Sequence, residues 1–232
     1  MRSDGDSSIP RPEIRCAERY RAFVFDLDGT LVDSRPAIEK AAQVAIAQVA
    51  PVYRDRKVTA VIGPPIRQMF KTVLDGMDSS TLDSVVAAFR QAYDSGVCRE
   101  TPAYPGAAEL LARIAARGAS SFVLTNKPWL PTRQILSQLG IESHLREIVT
   151  PDSPSHPFTS KAEALQALLY RHHLTPATTV MVGDSSDDAA AAEACSVAFV
   201  AAVYGYGNLK SAPARATMLI INRPADMLSL LE

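Results

Sequence analysis

The chain has 232 residues, 47% of them hydrophobic and 21% charged, with a formal net charge of -1. That length and balance suit a globular protein with a sizeable buried core, and they give no global attraction to nucleic acid or to a membrane surface. No apolar run approaches the ~20 residues that a membrane helix needs. The three cysteines, Cys16, Cys98 and Cys195, are scattered, with neither zinc spacing nor a disulfide framework. They read as reduced thiols and point to the cytoplasm.

In chain order, residues 1–18 are polar, carry Asp4, Asp6, Glu13 and Glu18, and lack the apolar stretch of a secretory signal. A flexible tail is expected there. Residues 22–25 (Ala-Phe-Val-Phe) read as a short buried strand. Asp26 and Asp28 follow it one residue apart, then Gly29 and Thr30. In an open α/β sheet, ligands bind where the strands end. Two carboxylates on that edge can divide the work of nucleophile and proton carrier, and a divalent cation can neutralise both. Residues 36–101 hold no convincing strand series; helices are expected over 37–49, 66–74 and 82–93. From Tyr104 onward, helix and strand patterns alternate. Helices are expected over 107–117, 132–139, 160–172, 187–194 and 225–231, and strands over 121–125, 147–150, 179–182, 197–203 and 218–221. Gly118 and Gly140 stand where helix ends need them, and Ser160 with Glu163 has capping-box spacing. This alternation predicts an α/β fold, a Rossmann-like and mostly parallel sheet with helices on both faces.

The stretch Phe25-Asp26-Leu27-Asp28-Gly29-Thr30-Leu31 resembles the signature of the haloacid-dehalogenase-like superfamily, most of whose members are phosphatases. Val123-Leu124-Thr125-Asn126, Lys161 and the run from Val180 to Asp188 resemble its later motifs, in the same order. The resemblance covers residues 22–232. It implies a core domain of residues 19–35 and 102–232, with an inserted α-helical cap at 36–101. Gly63-Pro64-Pro65, Tyr104-Pro105-Gly106, Thr125-Asn126-Lys127-Pro128 and Tyr204-Gly205-Tyr206-Gly207 are similar to the phosphoglycolate phosphatase branch.

Carried over residue by residue, the resemblance makes Asp26 the nucleophile that forms an aspartyl-phosphate, and Asp28 the proton carrier. Thr125 and Asn126 would hold phosphate oxygens, and Lys161 would neutralise charge on the transferring group. Gly29 offers close backbone approach; Thr30 fits substrate binding and turn structure equally. Asp26, Asp184, Asp188 and the backbone carbonyl of Asp28 would hold Mg²⁺. Ser185 fits either metal holding or helix capping, and Asp187 reads as a helix-start charge. In the cap, Arg67 and Lys71 are the cations expected to meet a substrate's second anionic group. The four histidines are expected at the surface, and Tyr204 to Gly207 in a structural role. The function implied is Mg²⁺-dependent hydrolysis of a small phosphomonoester, phosphoglycolate-like, by a monomer or homodimer that engages neither nucleic acid nor membrane. A nucleoside 5′-monophosphate or sugar-phosphate phosphatase, and a β-phosphoglucomutase-like phosphotransferase, remain as alternatives.

Overall fold

The apolar run after the tail forms strand β1 (Ala22–Phe25), and all four of its residues are buried. Its alternate side chains feed two cores: Phe23 and Phe25 belong to one cluster, Ala22 and Val24 to the other. A strand buried on both faces cannot show polar alternation, so it reads as a continuous apolar run. The computed structural model describes residues 20–58, 65–207, 209 and 217–231. The expected tail at 1–18, Cys16, and Gly63 and Pro64 lie outside the described residues.

The other strands are β2 (Ser120–Leu124), β3 (Leu145–Val149), β4 (Thr179–Gly183), β5 (Ala198–Ala202) and β6 (Thr217–Ile221). They make one six-stranded sheet in the order β3-β2-β1-β4-β5-β6. Every pairing is parallel, with Phe25 level with Val123 on one side and Val182 on the other. The sequence order therefore reverses at β1. Chain crossovers leave that strand in opposite directions, which opens a crevice beyond its carboxyl end.

Helices α4 (Ala107–Ala116) and α5 (Trp129–Gln138) cover the Phe23 face through Leu110, Leu111, Ile114, Ile135 and Leu136. Helices α6 (Lys161–Arg171) and α7 (Ser186–Ala194) cover the other face through Leu165, Leu168, Ala189 and Ala192. The helical segment after β1 holds α1 (Arg35–Val49), α2 (Ile66–Val73) and α3 (Ser79–Ser95). Its Phe70, Phe89 and Tyr93 join the same hydrophobic cluster as Phe23 and Phe25. Where the chain leaves the sheet and returns, Asp33 N–H donates to Pro102 O and Tyr104 N–H to Leu31 O, at 3.0 Å each. The two crossings are thus tied to one another.

Three expected boundaries shift for local reasons. Helix α3 starts at Ser79 rather than residue 82, because the Asp78 carboxylate accepts from Thr81 N–H at 2.9 Å and caps it. Helix α5 starts at Trp129 rather than 132; Pro131 sits in its first turn, where no N–H is needed. The closing helix expected at 225–231 is a 3₁₀ helix, Pro224–Leu230. At α6, Ser160 accepts from Glu163 N–H, but the Glu163 carboxylate binds the Thr159 N–H and hydroxyl, so only half of the expected capping box forms. No helix among the described residues is long and apolar enough to cross a membrane.

Candidate active site

Asp26 is the first residue past β1, and its N–H continues the ladder to Val182 O at 2.9 Å. Asp184 is the first past β4, so parallel register places both at one sheet edge. Lys161 begins α6 and Asp188 lies in the first turn of α7. Lys161 Nζ donates to Asp26 Oδ1 at 2.8 Å and to Asp188 Oδ1 at 2.5 Å. Asp26, Asp184, Asp188 and Lys161 are all buried.

One oxygen from each of Asp26, Asp184 and Asp188 lies within 4.8 Å of the others. Among the described residues, Lys161 is the cation that pairs with them directly, bonding Asp26 and Asp188. Burial pushes the Asp26 carboxyl up to about 8; Lys161 opposes that shift, and Asp188 and Asp184 add to it. Burial also lifts Asp184 to about 6, with Asp188 adding and the Gly207 N–H opposing. Burial alone would lower Lys161, yet Asp188 and Asp26 hold its ammonium above the ordinary lysine range. Three converging hard oxygen donors with an excess of negative charge fit a divalent cation such as Mg²⁺.

The backbone makes this convergence possible. Asp184 Oδ2 accepts from Tyr206 N–H at 2.9 Å and Gly207 N–H at 2.7 Å. Gly29, with φ +84, packs so closely below that a Cβ there would overlap the same carboxylate. Asp188 uses Oδ2 to accept from the Ser185 hydroxyl at 2.6 Å and the Ser185 N–H at 3.1 Å, which closes a capping box. Ser185 therefore caps α7.

Asp28 faces the other way. Its carboxylate pairs with Lys127 Nζ at 2.9 Å. The Lys127 ammonium also lies 4.9 Å from the centroid of the Tyr93 ring of α3. Lys127 is buried, which by itself would lower its pKa, but Asp28 and Tyr93 raise it above the ordinary range. The Thr125 hydroxyl oxygen accepts from Lys127 N–H at 3.2 Å, which leaves its own hydrogen to donate. Asn126 donates from its side chain to Asp187 at 2.8 Å and so ties the β2 loop to α7; Asp187 has that partner besides its helix-start position.

These residues surround a cavity of about 330 Å³. Asp26, Asp28, Thr125, Asn126, Lys161 and Asp184 line it from the sheet, and Ile38, Pro65, Met69, Phe89, Arg90 and Tyr93 from the helical segment. The structure thus gathers most of the expected site. Gly29 and Thr30 lie beneath it, and Thr30 O accepts from the Tyr204 hydroxyl at 2.7 Å. Arg67 is not brought to the cavity: it is exposed, and pairs with Asp83 at 2.9 Å and Ser79 at 2.9 Å because all three share the outer surface of α2 and α3. Lys71 is exposed too. Among the histidines, His144 and His172 are partly buried rather than on the surface, and the His172 ring bonds Glu147 at 2.5 Å.

Four contributions were not assigned from the sequence. Lys127 was visible two residues beyond Thr125 in a strand-end loop, a signal that carried no role. The Tyr-Gly-Tyr-Gly loop supplies the two amides on Asp184, beyond the structural role expected of it. Arg90 and Tyr93 sit on a helix whose cavity side no sequence pattern marks.

Comparison with known proteins identifies the family. Residues 23–202 match the haloacid dehalogenase-like hydrolase family. A 5′-nucleotidase of Pseudomonas aeruginosa is 30% identical over 193 residues, 83% of this chain and 86% of that protein. A phosphoglycolate phosphatase of Rhodospirillum rubrum is 33% identical over 195 residues, 80% of each chain. The crystal structure of a predicted phosphoglycolate phosphatase from Haemophilus somnus superimposes with a TM-score of 0.77 at 25% identity, over 92% of this chain and 98% of that one. The chain therefore belongs to the haloacid dehalogenase-like hydrolases, among their phosphoric monoester hydrolases.

Proposed function

We propose that the protein is a Mg²⁺-dependent phosphatase that hydrolyses a small, phosphoglycolate-like phosphomonoester through an aspartyl-phosphate on Asp26. The observation that carries this reading is the placement of Asp26. It stands at the crevice beyond β1, held by Lys161 and open to a cavity it shares with Asp28 and Thr125.

In the first half-reaction, an Asp26 oxygen attacks phosphorus as the bond to the ester oxygen breaks. Asp28 gives that oxygen its proton. It is paired to Lys127 in this structure, so it must part from the ammonium to carry one. In the second half-reaction, water attacks the phosphoryl group as its bond to the Asp26 oxygen breaks, and Asp28 accepts the proton of that water. The Thr125 hydroxyl and the Asn126 N–H hold phosphoryl oxygens, and Lys161 offsets their charge at a helix N-terminus. Asp26, Asp184, Asp188 and the Asp28 carbonyl would hold Mg²⁺, which would supply the positive charge that lets carboxylates and phosphate share one site. Residues 36–101 act as a cap that roofs the cavity, excludes water and reads the leaving group.

A second reading, a nucleoside 5′-monophosphate phosphatase, is favoured by the Pseudomonas aeruginosa relative. It is also favoured by the apolar cavity wall of Ile38, Met69 and Phe89, which could cover a base. The test is phosphate release from a panel holding 2-phosphoglycolate, nucleoside 5′-monophosphates and sugar phosphates, with Mg²⁺ and with chelator. Release of phosphate in Mg²⁺ alone, fastest from 2-phosphoglycolate, is the expected result. Turnover unaffected by chelator would remove the metal from the mechanism.

A further inference from the structure

The roof of the cavity carries a cation and a hydroxyl that the chemistry above leaves unused. Arg90 and Tyr93 are three residues apart on α3, hence on one face, and both line the cavity. The two lysines of the cavity are committed to carboxylates, Lys127 to Asp28 and Lys161 to Asp26 and Asp188. Arg90 is half-buried and makes no hydrogen bond or ion pair among the described residues. Its charged neighbour is Asp94, one turn further along α3; burial lifts that carboxyl and Arg90 pulls it back.

Tyr93 is 2% exposed, and its hydroxyl has no hydrogen-bond partner among the described residues. Burial raises its pKa, while the nearby Lys127 and Thr101 oppose that rise, and the Thr101 hydroxyl is likewise buried without a partner among the described residues. A buried hydroxyl without a partner is costly to keep, and a guanidinium at a cavity wall is built to take a planar carboxylate through two parallel hydrogen bonds. Both needs are met by the same kind of ligand, an anionic group on the side of the substrate away from phosphorus. A neutral nucleoside would leave the guanidinium unmatched.

We propose that Arg90 and the Tyr93 hydroxyl bind a carboxylate on the leaving group, which makes them the specificity-determining residues of the site and the preferred substrate a phosphorylated hydroxy acid. This inference rests on the phosphatase reading. The experiment compares kcat/KM for phosphate release, with Mg²⁺ and the full chain, on 2-phosphoglycolate and on 2-hydroxyethyl phosphate. The two esters match in size and differ in that one ends in a carboxylate and the other in a neutral hydroxyl.

Wild type is expected to favour the carboxylate by about 10²-fold, the scale for a desolvated charge pair. Arg90→Gln should bring the ratio close to one, chiefly by raising KM for 2-phosphoglycolate, and Arg90→Lys should restore part of it. Tyr93→Phe should lower the ratio by about tenfold. Arg67→Ala, outside the cavity, should keep the wild-type ratio. A wild-type ratio near one overturns the proposal without needing any variant to fold, and so does a wild-type ratio retained in Arg90→Gln. Release from neither ester, with an aryl phosphate also untouched, overturns the phosphatase reading and this proposal together. Turnover of the aryl phosphate, without preference for the carboxylate, overturns this proposal alone.

Discussion

Two lysines reach this cavity, and they sit in opposite electrostatic settings. Lys161 stands between two carboxylates, with a third nearby, so negative charge outnumbers positive even after it has bonded Asp26 and Asp188. Lys127 meets one carboxylate, Asp28, and rests against the ring of Tyr93, so its pair is balanced and partly covered by the helical segment. The contrast separates two tasks. An arrangement with excess negative charge attracts a cation and then an anion bridged by it. A balanced pair needs no further cation and holds the proton carrier in position.

The strongest way to break the comparison is to remove the acid at the centre of the first arrangement. Asp26→Asn should abolish turnover, with a loss of at least about 10⁴-fold, and should yield no phosphoenzyme. Mass spectrometry after mixing with an aryl phosphate and Mg²⁺ reads this directly. A phosphorylated Asp26→Asn protein, modified at another residue, would move the nucleophile elsewhere. Lys161→Met should follow, with activity down by ~10²–10³-fold. Three buried carboxylates would then lack their ammonium, and breaking such a buried arrangement costs ~3–5 kcal/mol of stability. Thermal melts with and without Mg²⁺ should show a deficit that the cation partly repairs.

The second arrangement is sharpened by treating its two members separately. Asp28→Asn should lose ~10²–10⁴-fold in rate. With an aryl leaving group that needs little protonation, the first displacement survives while water attack is slowed, so phosphoenzyme accumulates. Wild-type turnover by this variant would remove Asp28 from the mechanism. Lys127→Met should cost less, roughly tenfold, because Asp28 remains. Its signature is a lower kcat with the Asp28 side chain no longer held in place by the ammonium. Wild-type kcat in this variant would show that the pairing does not position Asp28 for its work.

The sequence made the sheet side of this site readable and left the roof dark, for physical reasons. Parallel strands buried on both faces are apolar runs, so their ends are marked by the first polar residue; Asp26, Thr125 and Asp184 all stand there. Once those ends are located, parallel register places the three residues on one edge. Lys161 and Asp188 were legible through their resemblance to the superfamily's later motifs, and the capping spacing from Ser160 marked the helix that Lys161 begins. The helical segment offers no such punctuation. A charge on a helix face looks the same whether it meets solvent or a cavity, which is why Arg67 drew the expectation and Arg90 holds the position. The amides of Tyr206 and Gly207 were invisible for another reason: a backbone donor has no residue type to read.

The smallest expected effect concerns charge alone and tests the first arrangement without a mutation. In the metal-free chain the Asp26 carboxyl is pushed up to about 8, by burial first and then by Asp188 and Asp184, despite Lys161. Asp184 is raised to about 6, again mainly by burial. Unfolded, both would titrate near the ordinary aspartate value. Between about pH 4 and pH 8 the folded chain therefore holds protons that the unfolded chain has released. Stability must fall as pH rises through that window, because the state that binds fewer protons is favoured. In chelator, the melting temperature should fall measurably between pH 5 and pH 8.5. Mg²⁺ competes with those protons for the same oxygens, so it should raise the melting temperature more at pH 8.5 than at pH 5. Asp26→Asn has no such proton to lose and should flatten much of the slope. A melting temperature that is level in chelator across this range, with Mg²⁺ adding equally at both ends, would mean that Lys161 already balances the three acids and that the two lysine settings do not differ in charge.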